Sequence, residues 1–187
     1  MKRTNLFIVT SLIIFFICAL LLIFEVVSFS FHGFGVDSTG KLYVGAGHKI
    51  DVFENGKKVN TIRNLTSRGY VFTIRNDDTI LLASGTTLVT LDLQGEIIEQ
   101  WESTNDTISK LRKSKSFFGA SNGETYTASW PFGRLTICCG SEIVYKMPLF
   151  DFTIMLILVL DIPCFVLSIV ILSKKLRDWY EFGYWLA

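Results

Sequence analysis

Hydrophobic residues follow two different patterns along this chain. Long apolar runs lie near both ends: residues 6–24 carry no charge over nineteen positions, and residues 152–173 carry a single one, Asp161. A helix that crosses a bilayer needs about 20 apolar residues. The runs therefore predict two transmembrane helices, over residues 6–29 and 150–173. Between them, residues 32–147 alternate short apolar stretches with polar turns, which predicts a domain of β-strands.

The alternating region repeats one pattern three times between Phe34 and Lys146. Each copy has a short apolar strand, a polar turn, a second strand that ends in small residues, a third strand, a turn glycine and a fourth strand. The turn glycines are Gly56, Gly95 and Gly140. A period of about forty residues with four short strands is typical of a β-propeller blade. We therefore expect a mainly β fold, with three four-stranded, propeller-like blades between two transmembrane α-helices.

The first copy, GVDSTGKLYVGAGHKIDVFENGKKVNTI, resembles the repeat of the NHL-type and YVTN-type β-propellers. The matching positions are Asp37, Gly40, Leu42, Tyr43, Val44, Val52, Phe53, Gly56 and Lys57. The second copy has Leu81 and Leu82 in place of Tyr-Val, and the third keeps Tyr126 but places Pro131 and Phe132 before its third strand. The resemblance implies a propeller architecture. It implies less about function, because this fold is a binding platform in many settings and sometimes carries enzymes.

Basic residues beside the apolar runs predict the orientation of the chain. Two precede the first run and three follow the second: Lys2, Arg3, Lys174, Lys175 and Arg177. Clustered Lys and Arg near a span stay cytoplasmic. We therefore expect residues 1–5 and 174–187 in the cytoplasm, the repeat domain outside and the protein in the cell membrane. A cleaved signal peptide, cut near residues 28–30, is the alternative, but the first run exceeds the usual signal core of about 7–15 residues.

Asp161 is the most unusual side chain of the second apolar run. A carboxylate at the bilayer centre costs about 2.5–3.5 kcal/mol and usually faces protein or water. We therefore predict a helix–helix contact with a partner subunit or a second copy. Pro163 belongs to this prediction, because it frees a backbone carbonyl one turn earlier. The alternative is a protonated Asp161 that the lipid tolerates.

The C-terminal tail is rich in aromatic residues. Trp and Tyr favour the membrane interface, so we expect Trp179, Tyr180, Tyr184 and Trp185 to lie along the inner membrane surface. A docking strip for a partner protein is the alternative that the sequence leaves open.

Residues 103–116, STNDTISKLRKSKS, separate the second copy from the third. They are polar, basic towards their end and without strand periodicity. We expect an exposed loop, which is either a plain connection or a carrier of binding residues.

Candidate chemistry is sparse. Asp37, Asp77 and Asp78 lie in turns, where aspartate bonds its own backbone. Cys138 and Cys139 are neighbours on a strand and should point to opposite faces, one buried and one exposed; a strained vicinal disulfide is the alternative. The sequence shows no nucleophile motif, phosphate loop or metal-ligand spacing. With a net charge of +1 it gives no reason to expect nucleic acid. We expect no enzymatic activity, no cofactor and no metal.

These features together favour a membrane-anchored binding or assembly module. The alternative is an accessory subunit of a membrane complex, with contacts through the helices and the tail. Closed propellers have about four to eight blades, so three blades in a row predict an open arc with its two ends far apart. A homodimer would close that arc into a ring. The expected partners are the bilayer and either a second copy or another membrane protein.

Overall fold

The computed structural model describes residues 2–23, 30–63, 69–103 and 105–184. It forms two units: a helical unit made of both chain ends, and a sheet unit made of the residues that lie between them in the sequence. In chain order the elements are α1 (Lys2–Ile23), β1 (Phe31–Val36), β2 (Leu42–Ala46), β3 (Lys49–Glu54), β4 (Lys57–Arg63), β5 (Tyr70–Ile74), β6 (Ile80–Ser84), β7 (Thr87–Leu91), β8 (Ile97–Glu102), α2 (Asn105–Ser114), β9 (Phe117–Gly119), β10 (Thr125–Ser129), a 3-10 turn (Pro131–Gly133), β11 (Thr136–Cys139), β12 (Glu142–Lys146) and α3 (Leu149–Tyr184).

The strands form three separate antiparallel sheets, β1 to β4, β5 to β8 and β9 to β12, each in chain order. We call them the first, second and third sheets. Consecutive antiparallel strands joined by short turns are the architecture of a propeller blade. The prediction of a mainly β domain with three four-stranded, propeller-like units is therefore confirmed.

The order of the sheets in space differs from their order in the chain. Neighbouring residues of a strand point to opposite faces. On one face of β1, a Cβ added to Gly35 would lie 2.5 Å from Cγ1 of Ile74 in the second sheet. On the other face, the Phe34 ring lies 6.2 Å from the ring of Phe118 in the third sheet. The first sheet is therefore the middle one, and the expected arc, with the first blade at one end, is wrong.

Alternating apolar positions build the core of the sheet unit, as the period of the sequence predicted. The largest fully buried apolar side chains come from all three sheets and are Val44, Ile50, Ile80, Leu82 and Ile137. Each copy of the repeat thus contributes to the buried interior, because a blade with one uncovered apolar face cannot be stable alone.

The segment after the second sheet is not the loop that the sequence predicted. Residues 105–114 form α2, an amphipathic helix whose Ile108 is 3% exposed. Ile108 packs against Val71, Ala83 and Leu88, on the face of the second sheet that points away from the first. Two apolar residues a turn apart, Ile108 and Leu111, are enough to fix a short helix once a sheet offers them an apolar surface.

The helical unit differs from the expected pair of spans. One helix, over Leu149–Lys175, is long and apolar enough to cross a membrane among the residues that the structure describes. The apolar part of α1, Asn5–Leu21, is shorter, and residues 24–29 of the predicted first span lie outside the described residues. The helix predicted to end at residue 173 continues without a break to Tyr184.

Candidate functional site

A polar contact joins the two helices of the helical unit. The Ser11 hydroxyl donates a hydrogen bond of 3.0 Å to Oδ1 of Asp161. Both residues are buried, Ser11 at 4% and Asp161 at 9% exposure. Asp161 lies at the middle of the apolar Leu149–Lys175 segment. The donor to this carboxylate therefore comes from the same chain, whereas the sequence analysis expected a partner subunit or a second copy.

The second carboxylate oxygen of Asp161 differs from the first. Oδ2 is buried and has no hydrogen-bond partner among the described residues. A buried acceptor without a donor is costly. Of the two carboxylate oxygens, Oδ1 therefore has a hydrogen-bond donor, on α1, and Oδ2 has none among the described residues.

Further contacts show that α1 and α3 run antiparallel beside each other. The rings of Phe15 and Phe165 stack with centroids 3.8 Å apart, and Nζ of Lys175 donates to Oδ1 of Asn5 over 2.6 Å. The expectation that the two helices of one chain stand far apart is therefore wrong. That expectation assumed that the first and third sheets lie at opposite ends of a row, whereas the first sheet lies beside the third.

Small residues line the seam between the helices. Cys18 and Ser168 are buried at 3% and 0% exposure. Ser11 and Cys18 are seven residues apart, as are Asp161 and Ser168. That spacing is two helical turns and marks one face of each helix. Small side chains let helices approach closely in a bilayer, so this spacing was a signal that could have identified Ser11 from the sequence.

The other predicted site residues lie away from this contact or outside what can be described. Pro163 is within α3 and exposed. Trp179, Tyr180 and Tyr184 belong to the last turns of α3, and Trp185 lies outside the described residues. Their role at the membrane interface stays a prediction.

The turn acids of the sheet unit have structural partners. Oδ1 of Asp37 accepts hydrogen bonds from the amides of Thr39 and Lys41, both 2.9 Å, and Oδ2 accepts from the Tyr43 hydroxyl over 3.1 Å. Burial, and then the charge of Asp37, raises the pKa of Tyr43. Because these donors satisfy both carboxylate oxygens, Asp37 can be buried without binding a ligand.

Asp77 and Asp78 behave differently from each other. Asp77 accepts from the amide and the hydroxyl of Thr79, as expected of a turn aspartate, and the hydroxyl bond in particular lowers its pKa. Asp78 instead accepts from the amide of Ser38, 2.8 Å away in the first sheet. The expectation that Asp78 bonds its own turn is therefore wrong; it joins two sheets.

His32 is part of a stacked pair between the first two sheets. Its ring lies 4.4 Å from that of Tyr70, whose hydroxyl donates to the carbonyl of Lys49. Burial lowers the pKa of His32, and the nearby charge of Lys115 lowers it further. A neutral, stacked histidine serves packing.

The cysteines are free thiols. Cys138 and Cys139 are both half-buried, so the expectation of one buried and one exposed side chain is wrong. The third sheet has a register shift between Ile137 and Cys138, and such a bulge breaks strict alternation.

Comparison with known proteins gives similarity of architecture only. No family model and no curated protein matches the chain. Similar solved structures include a protein of unknown function from Bacteroides caccae, at 14% identity and a TM-score of 0.32 over 64% of this chain and 46% of that one. A streptogramin B lyase shows 12% identity and a TM-score of 0.37, over 65% of this chain and 41% of that one. A virginiamycin B lyase from Staphylococcus aureus shows 15% identity and a TM-score of 0.35, over 64% of this chain and 41% of that one.

The chain thus spans less than half the length of these structures. At such identities and scores the similarity carries no argument about activity or substrate.

Proposed function

We propose that this chain is a membrane-anchored, non-enzymatic binding or assembly module. In this proposal α1 and α3 form a helical hairpin in the bilayer of the cell membrane. The propeller-like sheet unit is exposed on the extracytoplasmic side and presents its turns and exposed edges to other molecules.

The hydrogen bond between Ser11 and Asp161 is the observation that supports the anchor most directly. A carboxylate at the bilayer centre costs about 2.5–3.5 kcal/mol. One hydrogen bond between transmembrane helices returns about 0.6 to 2 kcal/mol. The bond therefore offsets part of this cost and stabilises the orientation in which Asp161 faces α1.

The dimensions and flanking charges of the helices fit the same proposal. The apolar segment Leu149–Lys175 of α3 has 27 residues, which at about 1.5 Å per residue is roughly 40 Å and enough to span a bilayer core; the apolar part of α1, Asn5–Leu21, is shorter. The bond between Asn5 and Lys175 joins the N-terminal end of α1 to the C-terminal end of the apolar segment. The basic residues at both chain ends therefore lie at one end of the hairpin, which favours a cytoplasmic location for both.

A cross-linking experiment tests the hairpin. In the full chain without its native cysteines, Phe15→Cys and Phe165→Cys should be joined within one chain by a short bifunctional thiol reagent, because the two rings are stacked. The matched control pairs Phe16→Cys with Phe165→Cys, since Phe16 is 64% exposed on another face of α1. In membranes, this reagent should cross-link the first pair several-fold faster than the second.

The arrangement of chains is read from the same gel. Two differently tagged copies, co-expressed, should show no cross-link between tags. Cross-links that form only between tags would contradict the hairpin and support helices paired between copies.

A second candidate function, an accessory subunit of a membrane complex, is favoured by one observation. Oδ2 of Asp161 is buried with no donor among the described residues, and a polar group of a partner helix could supply one. Asp161→Asn keeps the shape but changes the hydrogen bonds. The accessory-subunit hypothesis is supported if a stoichiometric partner copurifies with the wild type and with Pro163→Ala but is lost with Asp161→Asn.

Self-association is the remaining partner proposal. Its basis differs from the expected one, because the ends of the row are the second and third sheets, and α2 covers part of the second. Native mass spectrometry in mild detergent distinguishes a single chain from a dimer.

A further inference from the structure

The ends of the strands, with the turns that join them, lie on two opposite sides of the sheet unit, and we call each of these sides an edge. β1 begins and β12 ends at the same edge, which we call the chain-exit edge. The His32 stack on Tyr70 and the edge-on contact of Phe31 with Trp130, at 5.4 Å, tie the exit ends of all three sheets together. The chain-exit edge is therefore one continuous surface of the sheet unit.

An exposed aromatic tip projects from this edge. Between β10 and β11, Phe132 is 100% exposed and Trp130 is 44% exposed. Phe132 has a φ of 53°, a left-handed conformation that is strained for a residue with a large side chain. Two backbone bonds close the tip, from Gly133 to Trp130 and from Arg134 to Pro131, both 3.1 Å. A fixed turn thus holds an aromatic ring away from its own domain.

Charge is distributed unevenly between the two edges. Among the residues that the structure describes, the exposed or half-exposed basic ones at the chain-exit edge are Lys49, Arg63, Lys110, Arg112, Lys113, Lys115, Arg134 and Lys146, against the acidic Glu102 and Asp106. The opposite edge carries the acidic Glu54, Asp77, Asp78, Asp92, Glu96, Glu124 and Glu142, against the basic Lys41, Lys57, Lys58 and Arg75. The edge with the aromatic tip is therefore the basic one.

The two residues that follow the tip are hydrogen-bonded to the segment just before α3. The amide of Met147 donates to the carbonyl of Leu135 over 2.9 Å, and Nε of Arg134 donates to the carbonyl of Met147 over 2.7 Å. Only Pro148 separates Met147 from the first residue of α3. Along the chain, the residue that the tip segment binds, Met147, therefore lies two positions before α3 begins.

We propose that the chain-exit edge docks on the headgroup layer of an anionic bilayer. Trp130 and Phe132 enter the interface, and the basic side chains of α2 and of the strand ends contact lipid phosphates. Aromatic residues favour the interfacial layer, and an anionic surface attracts Lys and Arg side chains near it. The inference rests on the proposed membrane anchor. It adds a second contact with lipid that fixes the sheet unit against the membrane surface.

A depth measurement tests the docking. The full chain without native cysteines carries Phe132→Cys, labelled with an environment-sensitive dye, in vesicles of phosphatidylcholine and phosphatidylglycerol. The control is Ser121→Cys, in an exposed turn at the opposite edge. A nitroxide on the lipid headgroup should quench the dye at position 132 several-fold more than the dye at 121. Aqueous iodide should show the reverse order.

Three outcomes contradict the proposal or its basis, and they are distinguishable. Equal iodide quenching at both positions would overturn the docking. Protection from iodide at position 132 without nitroxide quenching would indicate a protein contact, such as a second copy, and would also overturn it. Release of the chain from the vesicles by alkaline carbonate would instead contradict the membrane anchor itself.

Discussion

Gly35 shows at the scale of one residue what sets the spacing of the sheets. It lies on β1 where the first sheet meets the second. A Cβ at this position would come within 2.5 Å of Cγ1 and 3.0 Å of the backbone nitrogen of Ile74. Because the backbone nitrogen cannot rotate away as a side-chain end can, a methyl group here requires the sheets to move apart.

We therefore expect Gly35→Ala to lower the free energy of unfolding of the sheet unit by about 1–3 kcal/mol, the usual cost of overpacking. Gly119→Ala is the matched control, since nothing lies within 4 Å of its added Cβ. Urea titration of both full-length variants in detergent measures the difference. Equal midpoints for the two variants would show that the sheets are not in contact at Gly35.

Residue identities in the helices were only partly predictable. Asp161 stood out because one charge interrupts an apolar run. Ser11 did not, because a serine in such a run is common, and its importance depends on the rotation of α1 relative to α3. The sequence carries that information only through the shared seven-residue spacing with Cys18.

At the scale of one element, α2 is the clearest difference between expectation and structure. Its composition is polar, and a segment with two apolar residues gives a weak periodic signal. The helix exists because Ile108 and Leu111 meet an apolar patch of the second sheet. Asp106 near its start and Arg112 and Lys113 near its end also match the helix dipole.

Ile108→Ala should lower the free energy of unfolding of the sheet unit by about 2–4 kcal/mol, because it leaves a cavity among Val71, Ala83 and Leu88. Lys113→Ala, on the exposed face, should change it by less than about 0.5 kcal/mol. Urea unfolding of the full chain, followed by the fluorescence of Trp101 beside this cluster with the other tryptophans replaced by Phe, measures both. A loop without a packing role would give the same midpoint for the two variants.

At the scale of the whole molecule, the repeats predicted the sheets but not their arrangement. Three copies of one pattern specify three similar units, and nothing in the pattern states which faces meet. The order is decided by particular side chains, such as the small Gly35 on one face of β1 and the large Phe34 on the other. The chain-exit edge likewise emerges only after folding, when residues from β1, α2 and the tip lie side by side.

In the proposed function, both ends of the chain are cytoplasmic and hold the sheet unit on the extracytoplasmic side of a membrane. Labelling of intact cells with a membrane-impermeant maleimide tests it most directly, using Ser121→Cys and Lys174→Cys in chains without native cysteines. Both positions are exposed in the structure. We expect Ser121→Cys to react in intact cells and Lys174→Cys to react only after lysis. Labelling of both positions in intact cells, or of neither, would contradict it.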